Sequence, residues 1–145
     1  MKFALNPEPV VLRRALREDL GAVAAIQAAS PEAAQWDPAD YLGYDFVVAL
    51  RGKHIAGYAV ARRLAEGETE LLNLAVHPAF RRRGIGRRLL AEITSRYHGD
   101  LWLEVRQSNF AARNFYKSLG FTESGQRPEY YRDSSEHAIV MNFHS

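Results

Sequence analysis

The segment from Leu71 to Leu90 limits what this chain can fold into more than any other. An apolar run, Leu71-Leu72-Asn73-Leu74-Ala75-Val76, is closed by His77-Pro78. Phe80-Arg81-Arg82-Arg83-Gly84-Ile85-Gly86-Arg87-Arg88 follows, and Ile85, Leu89, Ile93 and Tyr97 then recur on one helical stripe. This order predicts a strand, a glycine-punctuated loop and an amphipathic helix. A helix N-terminus carries partial positive charge and unpaired N–H donors, so it binds anions, phosphate above all. Gly84 and Gly86 put no Cβ between the main chain and a ligand, and the arginines add charge and forked donors. The plainer reading is a sterically chosen helix start beside a solvated arginine face. The loop lacks the Gly-Lys-Ser/Thr of a P-loop and the third glycine of a dinucleotide fingerprint.

The remaining sequence reads as a mixed α/β domain. Val10–Arg13 predicts a first strand, and residues 17–29 an amphipathic helix stopped by Ser30-Pro31. Glu32 to Tyr44 reads as a helix-turn segment holding Trp36. Phe46–Leu50, the turn Arg51-Gly52-Lys53 and Ile55–Arg62 read as a hairpin. Glu66-Gly67-Glu68 turns the chain into the strand 70–76, and Gly99-Asp100 into another at 101–106. A helix from Ser108-Asn109 places Phe110, Phe115 and Leu119 inward and stops at Gly120. Two final strands surround Arg127–Glu136. The sum is about seven strands and four helices, forming a twisted, largely antiparallel sheet with helices on both faces.

A single domain over 1–145 accommodates all of this, since 145 residues suffice for one core. With 47% hydrophobic and 25% charged residues the chain is globular rather than disordered. The chain has no cysteine, which removes disulfides, thiolate metal sites and a cysteine nucleophile, and agrees with a cytoplasmic protein. No apolar run reaches membrane-spanning length, and Met1–Pro7 is too short and interrupted for a signal peptide. His54, His77, His98, His137 and His144 lack metal-ligand spacing and read as surface or strand-end residues. The net charge of +2 is gathered near Arg81–Arg83, Arg87 and Arg88. Aromatic residues do not interleave with that cluster, so it suits a small polyanion better than nucleic acid.

Arg81-Arg82-Arg83-Gly84-Ile85-Gly86 resembles the Arg/Gln-x-x-Gly-x-Gly/Ala pyrophosphate motif of the GNAT superfamily of acetyl-coenzyme A-dependent N-acetyltransferases. Leu101-Trp102-Leu103-Glu104-Val105-Arg106, Ser108-Asn109 and Tyr116-Lys117-Ser118-Leu119-Gly120-Phe121 extend the likeness, with Tyr130-Tyr131 and Ala138-Ile139-Val140-Met141. These words look most like the ribosomal-protein alanine N-acetyltransferases (RimI-like). The resemblance is close over residues 70–143. It implies strands 70–76 and 101–106 lying parallel and splaying apart to admit acetyl-coenzyme A, with no metal. It also implies that the backbone of Leu74, Ala75 and Val76 pairs with the pantetheine arm, and that Arg81, Arg82, Arg83, Gly84, Ile85, Gly86, Arg87 and Asn109 hold the cofactor. Leu74–Val76 reads equally as a core strand, and Asn109 as only a helix cap.

Acetyl transfer from a thioester to an amine needs a base for the amine, donors for the carbonyl oxygen and an acid for the departing thiolate. Alternation places Leu101, Leu103 and Val105 on one strand face and Trp102, Glu104 and Arg106 on the other. A carboxylate among apolar neighbours is costly unless paired or useful. Glu104 reads as an ion pair with Arg106 or Arg62; the resemblance makes it the general base. Likewise Tyr116 is an ordinary packing aromatic or, by resemblance, the acid that protonates the thiolate. Phe115 reads as packing alone. Trp36, Tyr130, Tyr131 and Arg132 are candidates for the acceptor groove. Here the chain departs from the family, with Arg132 where proline is frequent and Gln35-Trp36-Asp37 in place of Pro-Trp-Ser. The acceptor implied is a protein N-terminal α-amine. A small-molecule amine, or coenzyme A binding without catalysis, are the alternatives.

Overall fold

The computed structural model describes residues 9–31, 33–131 and 136–144. Seven strands form one sheet: β1 (Val10–Arg14), β2 (Asp45–Arg51), β3 (His54–Ala65), β4 (Glu68–Val76), β5 (Asp100–Arg106), β6 (Thr122–Tyr131) and β7 (Glu136–His144). Their order is β1-β2-β3-β4-β5-β7-β6, and every neighbouring pair is antiparallel except β4–β5. The helices are α1 (Leu20–Ala28), α2 (Ile85–Arg96) and α3 (Phe110–Ser118).

β2 and β3 are buried on both faces, which is why they read as nearly continuous apolar runs. Val47, Ala49, Ala59 and Ala61 meet Leu89 and Ile93 of α2 in one core. Phe46, Val48, Tyr58 and Val60 meet Val23 and Ile26 of α1, with Tyr41, in the other. Each fully buried branched or aromatic side chain contributes about 1.5–3 kcal/mol. Along β5, Leu101, Leu103 and Val105 are buried in the first core, while Trp102, Glu104 and Arg106 are half-buried on the opposite face.

The expected sheet, with helices on both faces, is the observed one. The helices differ in detail. The described residues of the 32–44 segment, 33–44, do not form an α-helix: Pro38 starts a short 3₁₀ turn, Pro38–Gly43, and the Asp37 side chain accepts from the Ala39 N–H. Residues 17–19 are also 3₁₀, so α1 begins at Leu20. Phe110 does not point inward; it is 64% exposed, and Tyr116 is the buried aromatic of α3. β6 runs on through Arg127 and Pro128 to Tyr131, because it is an edge strand with an irregular register, where a missing N–H costs no ladder bond. Residues 1–8, the Arg132 position and the Tyr131 side chain lie outside the described residues.

β4 and β5 meet where Gly99 approaches Gly67, and the Asp100 N–H donates to the Gly67 carbonyl at 2.8 Å. Gly99 has φ +106°, and a Cβ there would collide with the Gly67 carbonyl. Gly99→Ala is therefore expected to lower stability by about 2–4 kcal/mol, read as an earlier urea midpoint at unchanged slope. Gly21→Ala, in open space on α1, is expected to leave the midpoint unchanged or raise it.

Candidate active site

The parallel pairing of β4 with β5 lasts for three partners only, Glu68–Asp100, Thr69–Leu101 and Glu70–Trp102. Beyond them β4 stays on β3 and β5 stays on β7, so a wedge opens between Leu71–Val76 and Leu103–Arg106. The N–H of His77 donates back to Ala56 on β3 at 2.7 Å, while the Val76 carbonyl points away and accepts from Arg81 Nε at 3.1 Å. By the alternation of a strand, the peptide groups of Leu74 and Val76 face the wedge. A bulge at Leu72, between the pairs Ala61–Leu71 and Val60–Asn73, bends β4 at this point.

A groove of about 610 Å³ runs from this edge to the start of α2. Every residue expected to hold the cofactor lines it except Arg83. Arg83 is exposed between two left-handed residues, Arg82 at φ 64° and Gly84 at φ 77°. Alternating backbone handedness of this kind gathers N–H groups into an anion-binding concavity. Gly84 caps α2 with no side-chain hydrogen bond, so the first N–H groups of the helix are left for a ligand. A Cβ at Gly86 would make ordinary contact, 3.4 Å from Phe115 Cζ and 3.7 Å from the Leu74 and Val76 side chains, so a larger side chain there would crowd the groove. Phe115, read from sequence as packing alone, also lines the groove. The arginines divide their work. Arg81 bonds Val76 and, at 3.1 Å, Ser30 Oγ, and Arg88 bonds the Val10 carbonyl at 2.9 Å; Arg82 and Arg87 line the groove. Asn109 caps α3, its side chain accepting from the Ala112 N–H at 3.1 Å, and it also lines the groove.

Glu104 and Tyr116 line a second cavity of about 90 Å³, which shares Leu74, Asn109 and Ala112 with the groove. Glu104 is paired neither with Arg106 nor with Arg62. Arg62 holds Glu70 at 2.9 Å and Arg106 approaches Glu136 at 3.7 Å, while Glu104 Oε1 accepts from Arg127 Nη1 at 2.8 Å. Glu104 Oε2 is buried with no hydrogen-bond partner. Burial pushes the Glu104 carboxyl above the usual glutamate range, and Arg127 holds it partly down. Tyr116 is packed between Phe115 and Phe121, and burial pushes its hydroxyl well above the usual phenol value.

A third wall of this cavity went unread in the sequence. Asn73 Nδ2 lies within hydrogen-bond distance of Tyr58 Oη (2.9 Å), Tyr41 Oη (3.0 Å), the Ala34 carbonyl (3.1 Å) and Gln27 Oε1 (3.2 Å). Gln27 Nε2 donates to the Trp36 carbonyl at 2.6 Å. This buried network ties α1 and the chain after it to the bent part of β4. Its signal was polar residues inside apolar runs, Asn73 in β4 and Tyr58 in β3. Of the acceptor-groove candidates, Trp36 is partly exposed and stacks on Tyr41, and Tyr130 lies under Arg127.

The model of the Acetyltransferase (GNAT) family matches residues 12–121. The chain belongs to the GNAT family. The ribosomal protein bS18-alanine N-acetyltransferase of Escherichia coli is 42% identical over 103 residues, 67% of this chain and 68% of that protein. The crystal structure of the ribosomal-protein-S18-alanine N-acetyltransferase from Escherichia coli is similar at TM-score 0.77 and 30% identity, covering 93% of each chain. That of Ard1 from Thermoplasma volcanium reaches TM-score 0.83 at 27% identity, covering 92% of this chain and 96% of that one. This GNAT chain is an acetyl-coenzyme A-dependent N-acetyltransferase. Its groove fits the cosubstrate: uncapped helix N–H groups and arginines for phosphates, and an open strand edge for the amide-bearing arm.

Gly86→Val puts methyl groups among Phe115, Leu74 and Val76. Acetyl-coenzyme A binding, measured by calorimetry on folded protein, is expected to weaken about tenfold or more. Gly84→Ala meets open space, so its cost is expected in stability, about 1–2 kcal/mol, more than in affinity.

Proposed function

We propose that this GNAT enzyme acetylates the N-terminal α-amine of a protein, by direct transfer in a ternary complex. The observation that carries the reading is the meeting of Glu104, from β5, and Tyr116, from α3, in one cavity continuous with the cofactor groove. Acetyl-coenzyme A supplies an activated acetyl thioester there. The peptide N–H groups of Leu74 and Val76 face the wedge and stabilise negative charge developing on the thioester oxygen. Glu104 Oε2, buried and unpartnered, takes a proton from the incoming ammonium. An α-amine has a pKa of about 8 and a lysine side chain about 10.4, so a glutamate of raised pKa is matched to the former. Tyr116, like any phenol, is protonated at neutral pH, burial keeps it so to higher pH still, and it donates to the departing thiolate.

The names of the relatives favour a ribosomal or other protein N-terminus over a small amine. Such acceptors are met in the cytoplasm, and the proposal places this chain there. No helix among the described residues is long and apolar enough to cross a membrane. The described residues share one sheet, which supports reading 1–145 as one catalytic domain. Arg82 and Arg87 line the cofactor groove while Arg81 and Arg88 bond protein carbonyls, which supports an arginine cluster turned to the cofactor rather than to nucleic acid.

Thiol release with a panel of N-terminal peptides and small amines tests the acceptor; faster turnover of small amines than of any peptide would refute the proposal. Glu104→Gln is expected to lower kcat/KM by about 10²–10⁴-fold, with partial recovery at high pH where the amine is already free. Because burial raises the Glu104 pKa, the acid limb of the wild-type profile should lie above the ordinary glutamate value, and activity should fall as pH drops through it. Tyr116→Phe should lose less, since a thiolate leaves readily, and high pH should not rescue it.

A further inference from the structure

Arg127 has no role in the mechanism above, yet it is the group in contact with Glu104. It stands on β6, two strands from Glu104, with β7 between them. Glu104 opposes Val140 and Arg127 opposes Ala138, so all four side chains lie on the same face. Ala138 is small and fully buried, which lets the guanidinium reach across β7. Arg106 opposes the same Ala138 from the other side, but is drawn toward Glu136. The Arg127 guanidinium lies 4.2 Å from the centre of the Tyr130 ring, a cation–π contact that holds it against the strand.

We propose that Arg127 is the positioning residue of the catalytic base: by holding Glu104 Oε1 it makes Oε2 the oxygen that meets the acceptor amine. The proposal rests on the reading of Glu104 as that base. The two oxygens are in different states. Oε1 is tied at 2.8 Å to an arginine whose side chain is 55% exposed, while Oε2 is buried and has no hydrogen-bond partner among the described residues, in a side chain that lines the cavity. A carboxylate so divided cannot rotate away from the acceptor without giving up a charge-assisted bond. The arrangement also tunes the base. Among the described residues, the charged groups around Glu104 are Glu70 on β4, itself held by Arg62 of β3; Arg106 on β5, near Glu136 of β7; and Arg127 on β6. Tyr116 of α3 lines the same cavity. Burial and Glu70 raise the Glu104 pKa, and Arg127 lowers it. Loss of Arg127 removes the lowering influence, so Glu104 stays protonated to higher pH and its acid limb moves up.

The test is the pH profile of kcat/KM for wild type, Arg127→Met, Arg127→Lys and Glu104→Gln, using the best peptide acceptor. Arg127→Met is expected to lower kcat/KM by about 10- to 100-fold, to move the acid limb to higher pH, and to leave acetyl-coenzyme A affinity unchanged. Arg127→Lys, which keeps the charge, is expected to keep the limb near wild type and recover part of the rate. In Glu104→Gln the further change Arg127→Met is expected to add little, because its target is gone. Arg127→Met that leaves the limb in place, or a rate loss of equal size in the Glu104→Gln background, overturns the proposal and leaves Arg127 a structural residue. Glu104→Gln at wild-type rate instead sinks the reading of Glu104 as base, whatever Arg127 does.

Discussion

Three parallel rungs between β4 and β5 are the constraint on which the rest of this molecule depends. They lock the two strands at one end, where Gly99 lies against Gly67. Each strand then follows its antiparallel partner, β3 or β7, and the right-handed twist of the sheet carries the free ends apart. The exposed edge that results would be a liability in most sheets. Here it is flanked by the bare N-terminus of α2 and by α3, and it faces the groove. In the proposed reading, strand addition and a helix terminus serve one extended ligand, the first for an amide-bearing arm and the second for its phosphates.

The polar groups around the wedge show how its shape is kept. An unsatisfied buried polar atom costs about 1–3 kcal/mol, so a protein places few of them without cause. Glu104 Oε2 is one, and on the adjoining rung Trp102 Nε1 and Asn142 Nδ2 are two more. Opposite them, Asn73 is over-supplied with partners from α1, β3 and the chain between α1 and β2. One wall of the cavity is thus fixed by a hydrogen-bonded network, and the other carries Glu104, whose Oε2 is left without a partner. That asymmetry is what a site needs when it must be rigid where it positions and open where it reacts.

Much of this was legible in the sequence because it was local. The alternation at Leu101–Arg106, the stripe of Ile85, Leu89 and Ile93, and the spacing of Gly84 and Gly86 each follow from a few adjacent residues. The misreadings were of two kinds. Between Glu32 and Tyr44, read as a helix-turn segment, Asp37 and Pro38 favour a capped 3₁₀ turn instead of an α-helix. The partner of Glu104 lies 23 residues away, across a strand, and only the register of β5, β7 and β6 selects Arg127 over Arg106. Arg81 illustrates the same limit. Sequence places it in a cationic loop, but its guanidinium is bound to Val76 and Ser30, holding the loop to the strand edge.

In the proposed reading the inner edge of β4 is the binding edge, with Leu74 and Val76 turned into the wedge and Ala75 turned to β3. Amide exchange followed residue by residue in an isotope-labelled sample, with and without coenzyme A, tests it directly. The account predicts that coenzyme A slows exchange at Leu74 and Val76 and at the first turn of α2, while Ala75, already bonded within the sheet, stays as it was. Protection that appears at Ala75 instead, or that leaves β4 untouched, would contradict it.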